Sequence, residues 1–142
     1  MELSTVRPIT LLIAAMGGEG GGVLTSWIVN AARSCGLPVQ ATSIPGVAQR
    51  TGATTYYIEI WPEVLSVGAT KPVLALAPAI GEIDILAATE YVETGRMIEA
   101  GYVTPDRTTL IASNHRVFTT HEKLAMGDGR ADVAPIKKAI KE

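Results

Sequence analysis

Between the apolar run Ile9 to Ala15 and a helical pattern that begins at Val23, the chain reads Met16-Gly17-Gly18-Glu19-Gly20-Gly21-Gly22. Five glycines in six positions remove nearly every Cβ from one turn. The backbone there is free to take positive φ, and its N–H groups can face one concavity beside a helix N-terminus. Strand, glycine loop and helix in that order constrain the chain to an α/β arrangement. The loop itself suits an anion or the close-packed backbone of a partner. A simpler reading also stands, in which the glycines only let a strand turn tightly into a helix packed close on the sheet.

Stricter motif tests remove two common ligands. A dinucleotide fingerprint opened at Gly18 requires its third glycine at position 23, which is Val23, and no acid stands near Gln40, where a second strand should end. A nucleoside-triphosphate loop requires Lys then Ser or Thr after its last glycine, and the chain has Val23 and Leu24. Neither a standard NAD site nor ATP or GTP binding by that route is expected. Glu19 among the glycines would repel a phosphate directly, which favours a partner cation or a capping role over a simple phosphate cradle.

At 142 residues the chain fits one domain that buries roughly 68–70% of its unfolded surface. Only 18% of residues are charged and 47% are hydrophobic, against about 25% charged in ordinary soluble domains. A large subunit interface explains that balance, as does a sheet covered on both faces. A net charge of −2 without a cationic stripe speaks against nucleic acid. The single cysteine, Cys35, excludes an intrachain disulfide and any iron–sulfur cluster held by this chain alone. It is expected to be a small core residue in a reducing compartment. The apolar run after Arg7 faintly resembles a signal-peptide core but meets polyglycine rather than a cleavage site. No run approaches the ~20 residues of a membrane span, and the expected location is the cytoplasm.

Along the chain, Ile9–Ala15 reads as a strand, 23–34 as a helix stopped by Gly36 and Pro38, and 39–42 as a short second strand, making a βαβ unit. A loop runs from Ser43 to Gly52. Ala53 to Trp61 alternates polar and apolar residues and reads as a strand ended by Pro62. Val73 to Ala77 reads as another buried strand, Glu82 to Ala100 as a helix, and Thr108 to Ala112 as the next strand. Thr119 and Thr120 can cap a helix that the Gly127-Asp128-Gly129 turn breaks, and Asp132 starts a last helical stretch. This order gives an α/β fold: one three-layer, Rossmann-like domain across residues 1–142 with a mainly parallel sheet. The Lys-rich end carries no stop signal, so a continuation past Glu142 stays open.

In an open parallel sheet, ligands collect at the carboxyl ends of the strands. The glycine loop, the Ser43–Gly52 loop and Asn114 to Arg116 all leave such ends. Arg50, beside Gln49, is the best-placed cation for a phosphate, a carboxylate or a neighbouring subunit's acid, or it fixes loop to loop through backbone carbonyls. His115 and His121 join no triad or metal motif and default to surface or helix-end roles. Asp128 and Arg130 fit an Asx-turn or ion pair. Trp27, Tyr56, Tyr57 and Trp61 fit a core or interface role, with an aromatic wall for an aryl substrate as the alternative. No catalytic residue and no metal ligand is expected.

Gly17-Gly18-Glu19-Gly20-Gly21-Gly22-Val23-Leu24 after a first strand, with Gly46-Val47-Ala48-Gln49-Arg50-Thr51-Gly52-Ala53 before a Thr/Tyr-rich strand, resembles the gamma-type domain of pyruvate and other 2-oxoacid:ferredoxin oxidoreductases. Gly127 to Arg130 looks like the indolepyruvate branch, in particular its beta subunit. The family's motifs usually read Gly-Gly-Gln-Gly and Gly-x-x-Gln-Arg-Gly-Gly, so Glu19 and Thr51 depart from the pattern. The resemblance implies a multi-subunit, thiamine-diphosphate-dependent enzyme that oxidatively decarboxylates an aryl pyruvate, passes electrons through iron–sulfur clusters to ferredoxin and forms an acyl-CoA. Thiamine and the clusters would belong to a companion subunit or domain in a hetero-oligomer. This domain would pack against the companion and take part in docking coenzyme A. Carried over by position, Gly17, Gly18, Glu19, Gly20 and Gly21 would form the first loop, and Gln49, Arg50 and Thr51 would face the interface or coenzyme. The alternative is a stand-alone nucleotide- or coenzyme-binding module. An independent methyltransferase or reductase is disfavoured by the failed fingerprint.

Overall fold

A computed structural model describes residues 6–45 and 52–141. The elements are β1 (Ile9–Met16), α1 (Gly21–Ser34), β2 (Val39–Pro45), β3 (Ala53–Ile60), β4 (Ile85–Ala88), α2 (Tyr91–Glu99), β5 (Thr109–Ala112), α3 (Thr120–Leu124) and α4 (Ala134–Ala139). They form one five-stranded sheet in the order β2-β3-β1-β4-β5. β1 pairs in parallel with β4, and β4 with β5, whereas β3 runs antiparallel to both its neighbours, β1 and β2. Four strands therefore point one way and β3 alone points against them. Their carboxyl ends share one edge of the sheet, which the glycine loop and Gly52, just before β3, also occupy.

Strand alternation divides the core into two layers. Leu12 and Ala14 of β1 face one side with Tyr57, Leu86, Ala88 and Met97 of α2. Ile13 and Ala15 face the other with Ile58 and Val29 of α1. One helix lies on each face, giving the three-layer α/β architecture that the order of elements implied. The same alternation dissolves the possible aromatic wall. Tyr56 packs in the α1 layer and Tyr57 in the α2 layer, while Trp27 stands 68% exposed on α1.

Three expectations are corrected. The stretch from Glu82 to Ala100 is not one helix: β4 ends at Ala88, and Glu90 takes an extended conformation (φ −153°) and caps α2 by accepting from Glu93 N–H at 2.6 Å. The segment from Val73 to Ala77 is not a buried strand. It is an irregular strap, with Val73 97% exposed, held by side chains in place of a backbone ladder. Gln40 Nε2 donates to Ala75 O at 3.1 Å, Thr42 Oγ1 to Leu76 O at 2.7 Å, and Ala75 N to Glu59 Oε2 at 2.7 Å. Cys35 is exposed, not a core residue, because it occupies the C-cap of α1, in the exposed turn that leads into β2.

Among the described residues no helix is long and apolar enough to cross a membrane.

Candidate functional site

The glycine loop closes over the end of β1. Gly20 is the N-cap of α1 with φ 81°, a left-handed conformation that a side chain at this position would strain. Gly21 is needed for a different reason: a Cβ there would stand 2.7 Å from Tyr56 Cε2 and 2.8 Å from the Cβ of Ala15. The tight strand-to-helix packing is thus a real use of these glycines. Gly21→Ala is expected to force the Tyr56 ring and α1 apart at a cost of about 1–3 kcal/mol, read as a lower urea midpoint. Gly17 N donates to Gly52 O at 3.0 Å, which ties the glycine loop to the far end of the β2–β3 connection. Gln49, Arg50 and Thr51 lie outside the described residues.

Glu19 does not point into solvent. Its Oε2 accepts from Met16 N at 3.2 Å and from the hydroxyl of Thr89, just after β4. The carboxylate therefore pins the loop across the ends of β1 and β4. The first turn of α1 contains no acidic residue, and Gly20 supplies no side-chain cap, so among the described residues no side chain meets the first N–H groups of α1, which can take an acceptor.

A groove of about 660 Å³ follows the carboxyl ends of β1, β4 and β5, with Glu19, Thr89, Ser113 and His115 at its rim and Ile13, Leu24, Ala87 and Ile111 on its walls. The structure thus brings the glycine loop and the segment after β5 together. Asn114 and Arg116 instead line a second cavity, of about 540 Å³, with Tyr91, Phe118, Arg130 and Lys137. His121 belongs to α3, apart from His115 on the groove. Arg130 donates twice to Asp128 at 2.8 Å, the ion pair expected for that turn. Among the described residues no group of three or more His, Cys, Asp or Glu is arranged to hold a metal ion.

A buried acidic network behind the second cavity left no signal in the sequence. Glu90, 1% exposed, faces Arg116 at 3.9 Å. Arg116 also pairs with Glu122, which accepts from Thr119 N at 2.6 Å and Ala131 N at 2.7 Å. Only the Thr119–Glu122 capping box was visible as a motif. Burial alone would raise the Glu122 carboxyl, but the N–H groups of Ala131 and Thr119, with Arg116, hold it down at about 2. Its folded value lies below the unfolded one, so its contribution to stability is complete above pH ~5 and fades as pH falls toward about 2. Acid titration monitored by hydrogen exchange is expected to open 119–132 in that window, and Glu122→Gln to flatten the response.

The sequence model of the pyruvate ferredoxin/flavodoxin oxidoreductase family matches residues 10–142. The chain belongs to this family. Two solved structures share the fold. The pyruvate oxidoreductase subunit PORC from Thermotoga maritima is 18% identical, with a TM-score of 0.56 over 79% of this chain and 53% of that one. A 2-oxoglutarate:ferredoxin oxidoreductase from Magnetococcus marinus, with 2-oxoglutarate, coenzyme A and succinyl-CoA bound, is 16% identical, with a TM-score of 0.52 over 75% of this chain and 19% of that one. The chain thus spans about half of the Thermotoga subunit and a fifth of the Magnetococcus chain. No curated protein matches the sequence.

Proposed function

We propose that this pyruvate ferredoxin/flavodoxin oxidoreductase family member is the gamma-type component of a 2-oxoacid:ferredoxin oxidoreductase of the indolepyruvate type. In this reading it binds a catalytic companion and helps to dock coenzyme A, and it does no chemistry alone. The observation that carries the reading is the sheet edge itself. It is built from glycine-loop backbone, open α1 amides and one pinned carboxylate, with no nucleophile–base pair among the described residues. Family membership over 133 residues supplies the enzyme class.

The groups implied by the family divide by fit. Cluster ligands do not fit this chain, whose one cysteine is exposed and isolated. Thiamine diphosphate, which supplies carbanion stabilisation during 2-oxo acid decarboxylation, is likewise assigned to the companion. An anionic end of coenzyme A fits the first-turn N–H groups of α1. Glu19 opposes a phosphate at that point, so a neighbouring cation is required, and Arg50 in the Gln49-Arg50-Thr51 loop is the residue assigned to it. In the reconstituted complex, Arg50→Ala is expected to raise the KM for coenzyme A about tenfold, equivalent to ~1.4 kcal/mol, with kcat for the aryl pyruvate little changed. Unchanged assembly and an unchanged KM would remove the role given to this loop.

A further inference from the structure

Beside α2, at the carboxyl edge of the sheet, the second cavity encloses about 540 Å³, within the size range of sites for small organic molecules. Each of its walls is fastened. α4 seats against α2 where Gly95 has no side chain: a Cβ there would stand 2.7 Å from Ile136 Cδ1. Ile136 fills that place and sets the next residue, Lys137, 5.9 Å from the centroid of the Tyr91 ring. The segment after β5 is tied to the start of α2, Tyr91 N donating to His115 O at 3.0 Å and Val117 N to Glu90 Oε2 at 3.4 Å. The turn before α4 is held by Ala131 N, which donates to Glu122 Oε1 at 2.7 Å. Along 113–116 the side chains alternate, Ser113 and His115 lining the groove, Asn114 and Arg116 lining this cavity. The two are separate sites with one wall in common.

The charged groups of the cavity divide into matched and unmatched. Arg116 is matched by Glu122 and Glu90, and Arg130 by Asp128. Two charges are left, one of each sign. Lys137 has no carboxylate partner among the described residues. Asp132 accepts from Ala134 N at 2.9 Å through Oδ1, and its Oδ2 has no partner among them. The two line one cavity without pairing to each other. Between them the walls are apolar: the rings of Tyr91 and Phe118, with Val133. The Arg116 guanidinium, 5.3 Å from the centroid of the Phe118 ring, holds that ring in place.

A simple anion would satisfy Lys137 and be repelled by Asp132, and a simple cation would meet the reverse. A ligand that answers both carries an ammonium and a carboxylate on one small frame with an apolar body. We propose that this cavity binds a free amino acid with an aromatic side chain. Its carboxylate meets Lys137, its ammonium meets Asp132 Oδ2, and its ring lies against Tyr91 and Phe118. Arg130 uses only Nε and one Nη of its guanidinium on Asp128, which leaves N–H groups for the same carboxylate. The cavity holds no residue of the glycine loop, and the inference does not rest on the role given to the groove.

Isothermal titration of the chain with L-phenylalanine tests it, with hydrocinnamate and phenethylamine as probes that lack the ammonium and the carboxylate in turn. The expected result is saturable binding of phenylalanine, with each probe weaker by about tenfold, the scale of one charge-assisted hydrogen bond. Asp132→Asn keeps an oxygen for Ala134 N; it should weaken phenylalanine by about tenfold and leave hydrocinnamate no weaker. Lys137→Met keeps an apolar stem over Tyr91; it should weaken phenylalanine and leave phenethylamine no weaker. Both side chains are exposed, so far-UV circular dichroism of the variants should match the wild type, and the comparison of the three probes on the wild type needs no variant. Absence of saturable phenylalanine binding would overturn the proposal. So would hydrocinnamate binding as tightly as phenylalanine, which would make the cavity a plain anion site, or affinities that neither substitution alters.

Discussion

Leu86→Ala is expected to lower the unfolding free energy by about 3–4 kcal/mol, a large share of what a domain of this size possesses. Leu86 is 0% exposed in the middle of β4, in a cluster with Leu12, Ala14, Tyr57 and Met97. β4 is only four residues long, yet it joins β1 to β5 and carries α2 directly after it. The cavity therefore opens where the two parallel pairings and the α2 layer meet, with few neighbouring side chains free to collapse into it. Urea titration should show a reduced midpoint with an unchanged slope. A loss below about 1 kcal/mol would mean that the α2 layer is loosely packed around β4.

Asp84→Ala should cost about 2–3 kcal/mol, for an electrostatic reason. Asp84 precedes β4 at the amino edge, away from the proposed site. It accepts from Arg7 at 2.7 and 2.8 Å, from Arg107 at 3.1 Å and from the backbone N–H of Thr10 at 2.9 Å. Arg7 contributes most to holding its carboxyl well below the usual carboxylate range, burial works against that shift, and the Thr10 and Arg107 bonds add to it. Since the folded value is depressed, the stabilisation is present at neutral pH and is lost as pH falls below the ordinary carboxylate range. The alanine variant should therefore lie closest to wild type in strong acid and furthest from it near neutrality. A stability difference independent of pH would show that packing, rather than charge, holds this corner.

How much of this was legible in the sequence follows from where each signal was local. Ile9–Met16, the glycine turn, α1 and β3 could be read because periodicity, glycine and proline act within a few residues, and the Thr119 cap because its Glu122 partner is three positions away. β4 was hidden. Ile83, Leu86, Ala87 and Tyr91 fall at helical spacing, and a four-residue buried strand cannot be distinguished by period from a helical turn. The break at Glu90 depends on a capping bond that composition does not announce. The apolar strap from Val73 to Ala77 looked like a strand because the side chains that hold it, Gln40, Thr42 and Glu59, lie 16 to 35 residues away. The same distance concealed the Glu19–Thr89 contact, which spans 70 residues and makes Glu19 the fastening of the loop. The groove at the carboxyl edge of the sheet was legible as a place, and its contacts were not.

Reconstitution tests the central claim most directly: the chain is mixed with a thiamine- and iron–sulfur-bearing companion, and indolepyruvate- and coenzyme-A-dependent viologen reduction is measured against each component alone. The expected result is stable association and turnover only in the mixture, with none from the isolated chain. A companion that turns over at full rate without this chain, or an isolated chain that binds a phosphate ligand while ignoring the companion, would contradict the assignment.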